Sequence, residues 1–170
     1  KHKNKIKLKI RMRYLNAVVP ALLSKKKIIK LNKSHHYSTT KQLNKIMYTK
    51  SHEYIDKEEG KSIGKVGIST YASERIGEII FAEMMDDDEA VEKGSIIGVL
   101  ESVKSANDIY APINCVLLEK NQKVIDDPNI ITSDPQGEGW ICKVSCNSLH
   151  DKELMNSEEY EKYVEEEKKK

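Results

Sequence analysis

Short alternating apolar runs, broken every few residues by Gly, Asn, Asp or Pro, predict a mainly β fold. The expected architecture is a compact sandwich or barrel with small helices added. Charge supports a second boundary. Residues 1–40 hold 12 of the 29 Lys and Arg and none of the 27 Asp and Glu, so residues 41–170 carry a net charge of −10. The chain reads as a basic head, 1–40, on an acidic β domain, 41–170.

The head comes first. Ile6, Ile10, Tyr14 and Val18 recur at a spacing of four, one face of a helix, while Lys5, Lys7, Lys9, Arg11 and Arg13 fill the other faces. A basic, acid-free amphipathic segment is what mitochondrial transit peptides look like, and the expected destination is the mitochondrial matrix. Such a helix engages anionic membrane surfaces by charge and apolar stripe together. A plastid-type organelle and a plain basic tail are the other readings of the same residues. The tract HHYSTT, 35–40, suits a processing region, and His35-His36 reads as incidental. The apolar run Ala17–Leu23 is far short of the ~20 residues that span a bilayer. Pro20 and Lys25-Lys26-Lys27 argue against a secretory signal. The chain begins at Lys1, so a start further upstream is expected.

In the body, IMYTKSHEYI (46–55) and SIGKVGIS (62–69) read as strands joined by the turn Glu58-Glu59-Gly60-Lys61. A short helix, 70–76, is opened by Ser69 or Thr70 and closed by Gly77. EIIFAEMM (78–85) is a strand, and Asp86-Asp87-Asp88 is a solvated break. SIIGVLES (95–102) and NDIYAPI (107–113) form a hairpin, followed by strands at 115–121 and 140–146. DDPNIITSDPQGEG reads as a turn of helix and loops. Ser148 with Asp151 predicts one capping box. Asn156 or Ser157 caps a terminal helix whose early acids and late lysines suit the helix dipole.

Composition narrows the function. An acidic body lacks the dense Lys and Arg that displace counterions from nucleic acid. Three cysteines, Cys115, Cys142 and Cys146, make no disulfide framework and read as reduced thiols. Metal binding at Cys142 and Cys146 lacks further ligands nearby. There is no G-x-G-x-x-G, Walker, G-x-S-x-G or H-E-x-x-H pattern, and one Trp and one Phe are little material for an aromatic pocket. The domain reads as one that carries something and catalyses nothing.

What it carries is suggested by Lys104, at the tip of the 95–113 hairpin. Tip residues leave the ladder and face solvent. An exposed amine on a tight turn suits attachment of an activated acyl group. Small or polar neighbours, Ser102, Val103 and Ser105, let a modifying enzyme grip the turn, and Glu101 supplies a charge for register. An ordinary solubilising lysine is the plain alternative.

The sequence ESVKSANDIYAP resembles the lipoylation loop of the glycine cleavage system H proteins, with Lys104 as the lipoyl-lysine. The likeness extends over YTKSHEYI, VGISTYASERIGEIIFAE, VEKGSIIGVLESVKS, DPQGEGWICKV and NSEEYEKYV, in order, across about 46–164. Biotin carriers usually place methionines beside the lysine, and lipoyl domains of 2-oxo-acid dehydrogenases usually place Asp before it. One departure is Asn114-Cys115, where the family has Ser-Gly; Asn114 is expected to take the left-handed conformation that Gly would supply.

The resemblance implies a lipoyl-type barrel-sandwich hybrid with added helices, and (R)-lipoate covalently attached to Lys104. It implies a non-catalytic carrier. The arm takes an aminomethyl group from a pyridoxal-phosphate glycine decarboxylase, passes it to a folate-dependent aminomethyltransferase, and is reoxidised by dihydrolipoyl dehydrogenase. A lipoate-attaching enzyme is the further partner. Lysine plus lipoate reaches roughly 14 Å. The family's cleft for the loaded arm maps to Ser51, Glu53 and Asp108; His52 between the first two is expected to be structural. Two other readings are a relay supplying lipoate to other complexes and an unmodified docking protein.

Overall fold

A computed structural model describes residues 44–169 apart from 147 and 150. The expectations placed on the head, 1–40, lie outside the described residues. The described chain forms nine strands and four short helices. In order these are β1 (Asn44–Tyr48), β2 (Glu53–Glu58), β3 (Ile63–Ile68), α1 (Thr70–Ile76), β4 (Ile79–Met84), β5 (Ala90–Val91) and β6 (Ile96–Ser102). Then follow β7 (Ala106–Tyr110), β8 (Cys115–Lys120), α2 (Gln122–Asp126), α3 (Asn129–Ser133), β9 (Cys142–Ser145) and α4 (Ser157–Glu167).

All pairings are antiparallel. One sheet has six strands in the order β1-β2-β3-β9-β8-β5; the other has three, β4-β6-β7. Alternation puts Ile55, Val66, Val144 and Leu117 of the first sheet into one apolar cluster with Ile79, Ala82, Leu100 and Ile109 of the second. That shared core is what makes the two sheets a sandwich. Two glycines allow close approach of neighbouring strands. A β-carbon on Gly67 would lie 2.8 Å from the ring of Tyr54, its cross-strand partner. One on Gly98 would lie 2.4 Å from Met84 Sδ.

A second, smaller core lies under α4, where Tyr48, Tyr54, Tyr160 and Val164 are buried together. Tyr48 and Tyr160 stack with centroids 4.2 Å apart and planes 7° from parallel. Asn156 caps α4, accepting from Glu159 N while Glu159 Oε2 accepts from Asn156 N. The last turn of α4 holds no basic residue; Lys168 is its C-cap.

The structure confirms Ser69 as the cap of α1 and Gly77 (φ 82°) as its end. It corrects three expectations. The run 46–55 is two strands, split by the turn 49–52, whose bonds come from Thr49 rather than from Gly or Pro: His52 N donates to Thr49 O at 3.2 Å and Glu53 N to Thr49 Oγ1 at 3.1 Å. No helix follows Ser148 among the described residues; Asp151 instead accepts from Lys93 Nζ at 2.8 Å and from Glu153 N at 2.9 Å. Asn114 is not left-handed, the non-glycine residues with positive φ being His52 and Asp88. It ties the turn through its side chain, accepting from Lys93 N at 2.7 Å. The stretch 126–139 holds the turn of helix expected there, Asn129–Ser133 after Pro128, and another turn, Gln122–Asp126, precedes it.

Candidate functional site

The hairpin between β6 and β7 turns through Val103, Lys104 and Ser105. Glu101 pairs with Ala106 below the tip, and Ser102 N donates to Ser105 O at 2.8 Å. Ser102 organises the loop. Its Oγ accepts from Lys104 N and Ser105 N, both at 3.2 Å, and the residue is buried. Two otherwise free amides are thereby satisfied without a glycine. Asn107 Nδ2 donates to Ser105 Oγ at 3.1 Å from the far side.

Lys104 and Glu101 are exposed, and Val103 is 72% exposed. Lys104 makes no ion pair among the described residues, whereas Lys61, Lys93, Lys120, Lys123 and Lys143 all do. Its Nζ passes over the C-cap of α1, 4.0 Å from where a β-carbon on Gly77 would stand. The hairpin therefore holds an exposed primary amine, with no ion pair among the described residues, beside the C-cap of α1 on an internally bonded turn.

A cleft of about 280 Å³ opens at the other end of β7. Thr49, Ser51, Glu53, Lys93, Tyr110, Pro112, Glu153 and Leu154 line it. Glu53 is its acidic floor, 1% exposed. Oε1 accepts from Tyr110 N at 3.1 Å; Oε2 accepts from Ser51 Oγ at 2.7 Å and from Thr49 Oγ1. Burying a carboxylate is costly unless donors satisfy it, and three do so here. No Lys or Arg pairs with it among the described residues. Lys93, at the rim, is held by Asp151 and Glu153.

Sequence reasoning singled out Ser51 and Glu53, which line the cleft, and Asp108, which does not: it is exposed on β7, with Tyr110 Oη 3.5 Å from its Oδ2. Thr49, Tyr110, Lys93 and Glu153 were not anticipated. Thr49 stands four residues before Glu53 and was legible as a hydroxyl near a carboxylate. Lys93 and Glu153 lie 60 residues apart and meet only through the fold.

His52 lies behind the cleft. Burial pushes its ring below the usual imidazole value, against the opposing pull of Glu167 and Glu53. Nδ1 is 2.8 Å from Tyr160 Oη and Nε2 is 3.1 Å from Glu167 Oε2. The cysteines are buried free thiols, and burial raises Cys115 to about 11 and Cys142 to about 12.

A sandwich domain that holds one unpaired lysine on a hairpin tip, with an acidic cleft along the same strand, belongs to the class of swinging-arm carriers. A model of the Glycine cleavage H-protein family matches residues 46–167. A Carboxydothermus hydrogenoformans glycine cleavage system H protein is 40% identical over 72% of this chain and 93% of that protein. A Schizosaccharomyces pombe protein, described as a candidate mitochondrial glycine cleavage system H protein, is 36% identical over 90% of this chain and 83% of its own. The crystal structure of a glycine cleavage system H protein from Mycobacterium marinum superposes with a TM-score of 0.63 at 29% identity, covering 74% of this chain and 98% of that one. The chain belongs to the glycine cleavage H-protein family. Its members are lipoyl carriers, non-catalytic subunits of the glycine cleavage system.

Proposed function

We propose that Lys104 bears lipoate in amide linkage and that the arm carries an aminomethyl group between the enzymes of glycine cleavage. Held on Lys104, the dithiolane would supply thiol–disulfide chemistry to the pyridoxal-phosphate decarboxylase, the folate-dependent aminomethyltransferase and dihydrolipoyl dehydrogenase. The chain's own residues present, orient and shelter the arm.

The observation that carries this reading is the placement of a buried, hydroxyl-bonded carboxylate at the far end of the strand that leaves the lysine tip. β7 leads from Ala106, beside the tip, to Tyr110, whose amide holds Glu53. Four residues of strand span about 13 Å. The arm reaches roughly 14 Å from Lys104 Cα. A protonated amine at its end would then meet Glu53, with Ser51 beside it, and exchange an unpaired buried carboxylate for a charge-assisted contact. Asp108, exposed along the path on β7, adds negative potential that favours the same cation. Closure of the arm into the cleft excludes the water that would hydrolyse the cargo.

At the tip, Ser102 holds the turn, Val103 and Ser105 leave space around the amine, and Glu101 gives the lipoate-attaching enzyme a charge to read. Residues 1–40 act as a mitochondrial transit peptide and residues 41–170 as the carrier domain in the matrix. Tethering raises the effective concentration of cargo at a docked active site to the order of millimolar.

Intact mass of the protein purified from its native organelle tests both ends of the reading. The expected result is a chain lacking the basic head and heavier by one lipoyl group, with the increment on the peptide containing Lys104. A bare lysine in every native preparation overturns it. Lys104→Arg keeps the charge and is expected to remove the increment and all cargo transfer.

A further inference from the structure

Beyond attachment and storage, the structure bears on what holds the cleft in shape. Ser51 and Glu53 belong to the four-residue turn 49–52 and the first position of β2. Inside the turn the bonds are local: Thr49 N to Glu53 O at 2.9 Å, His52 N to Thr49 O, Glu53 N to Thr49 Oγ1, and the hydroxyls of Thr49 and Ser51 on Glu53 and 3.2 Å from each other. His52 sits at φ 75°, a left-handed conformation that L residues adopt at a cost. A turn this short, with Lys50 and Ser51 exposed, would be mobile unless its outer side were tied down.

One tie is backbone, Ser69 N donating to His52 O at 2.8 Å; the side-chain ties come from α4. Tyr163 Oη shares its one proton between Lys50 O at 3.2 Å and Glu167 Oε1 at 3.1 Å. Tyr160 Oη bonds Nδ1 of His52, and Glu167 Oε2 faces Nε2 at 3.1 Å as a charge contact outside hydrogen-bond geometry. A consistent set of protons runs through the network: Ala72 N–H to Ser69 Oγ, Ser69 O–H to Tyr160 Oη, Tyr160 O–H to His52 Nδ1, and His52 Nε2–H towards Glu167. The helix is anchored on the other side, where Tyr48 and Met155 exchange backbone bonds of 2.8 and 2.9 Å. Ser51 and Glu53 line the cleft while His52, between them, faces the helix.

We propose that α4 is a clamp on the cleft: Tyr160, Tyr163 and Glu167, acting through His52 and Lys50, are positioning residues that hold Ser51 and Glu53 in the geometry that shelters the loaded arm. The proposal rests on the cargo-storage reading above. It adds that the shelter is set by a helix that lies outside the lysine hairpin. Loosening α4 therefore shortens cargo lifetime without disturbing the lysine.

Two measurements on the carrier test this, in the wild type, Tyr163→Phe and His52→Asn; Asn tolerates the left-handed backbone while losing the ring contacts. The first is hydrogen exchange at the amides of Thr49, His52 and Glu53 in the unmodified protein. The second is the release of cargo from the lipoylated protein, loaded by adding formaldehyde and ammonium to the reduced dithiol. Release balances as R–S–CH2–NH3+ and water giving R–SH, formaldehyde and ammonium; the C–S and C–N bonds break and nothing is oxidised.

Each variant is expected to speed exchange at the turn and release of cargo by roughly fivefold, the effect of losing one ordinary hydrogen bond. Exchange in β6 and β7 and the thermal midpoint should stay close to wild type, and Glu165→Gln, an exposed position of α4, should change neither rate. Unchanged exchange in both variants overturns the clamp. So does faster exchange with unchanged release. If the wild type itself releases cargo as fast as free aminomethyl-dihydrolipoamide, the failure lies with the storage reading, and the clamp falls with it.

Discussion

At the scale of the residue, the hairpin shows how little is needed to display an amine. Ser102 performs the turn-closing task that glycine performs elsewhere: its hydroxyl accepts from two loop amides, so the tip stays rigid while its neighbours stay small. Ser102→Ala is expected to cost about 1 kcal/mol, one net hydrogen bond. It should also lower the extent of lipoylation at fixed enzyme, read by intact mass. The thiols behave in the opposite sense, being withdrawn instead of displayed. With Cys115, Cys142 and Cys146 buried and their acidities weakened, little thiolate forms near neutrality. The folded protein should resist iodoacetamide and gain three adducts only when unfolded, as counted by mass spectrometry. Reaction of any one thiol in the native state would contradict the burial.

At the scale of the element, the lysine strand depends on its partner. β6 lies between β4 and β7 and must approach β4 closely where Gly98 faces Met84. Gly98→Ala would put a β-carbon 2.7 Å from Glu83 O, a backbone atom that cannot swing aside, and 2.4 Å from Met84 Sδ. The expected penalty is about 1–3 kcal/mol of overpacking. A fall in the urea midpoint with an unchanged slope would show it. Because the strain falls in β6, its displacement should reach the tip, and lipoylation should slow as well.

At the scale of the molecule, stability is coupled to pH through the clamp. His52 is faced by the charges of Glu167, Glu53 and Arg75 and by the hydroxyl of Tyr160, with the rings of Tyr71 and Tyr163 alongside. Burial is the largest influence and lowers its folded value beneath 6.5. The unfolded chain then binds the proton more readily than the folded one. The stabilising contribution is complete above pH 6.5 and is lost as pH falls through the lowered folded value. Protonation also takes away the lone pair on Nδ1 that accepts from Tyr160. The wild type should lose more stability than His52→Asn between about pH 7 and pH 5, measured by urea midpoints at the two values. Parallel losses in the two proteins would remove His52 from the account.

Local patterns reached a long way towards this description. Alternation marked most of the strands, Ser69 and Gly77 bounded α1, and the run around Lys104 pointed to a displayed amine, because each of these properties is settled by residues a few positions apart. Two kinds of feature were not legible. The turn at 49–52 carries no Gly, Pro, Asn or Asp, so a hairpin built from Thr and Ser side-chain bonds passed for continuous strand. The cleft and its clamp join Glu53 to Tyr110, Lys93 to Glu153 and His52 to Tyr160 across 57, 60 and 108 residues. By itself the sequence determined which residue projects and which segments alternate. Only the tertiary structure decided that a carboxylate on β2 is buried against the far end of the strand that follows that lysine, because burial and proximity arise when distant strands pack and no short window of sequence records them.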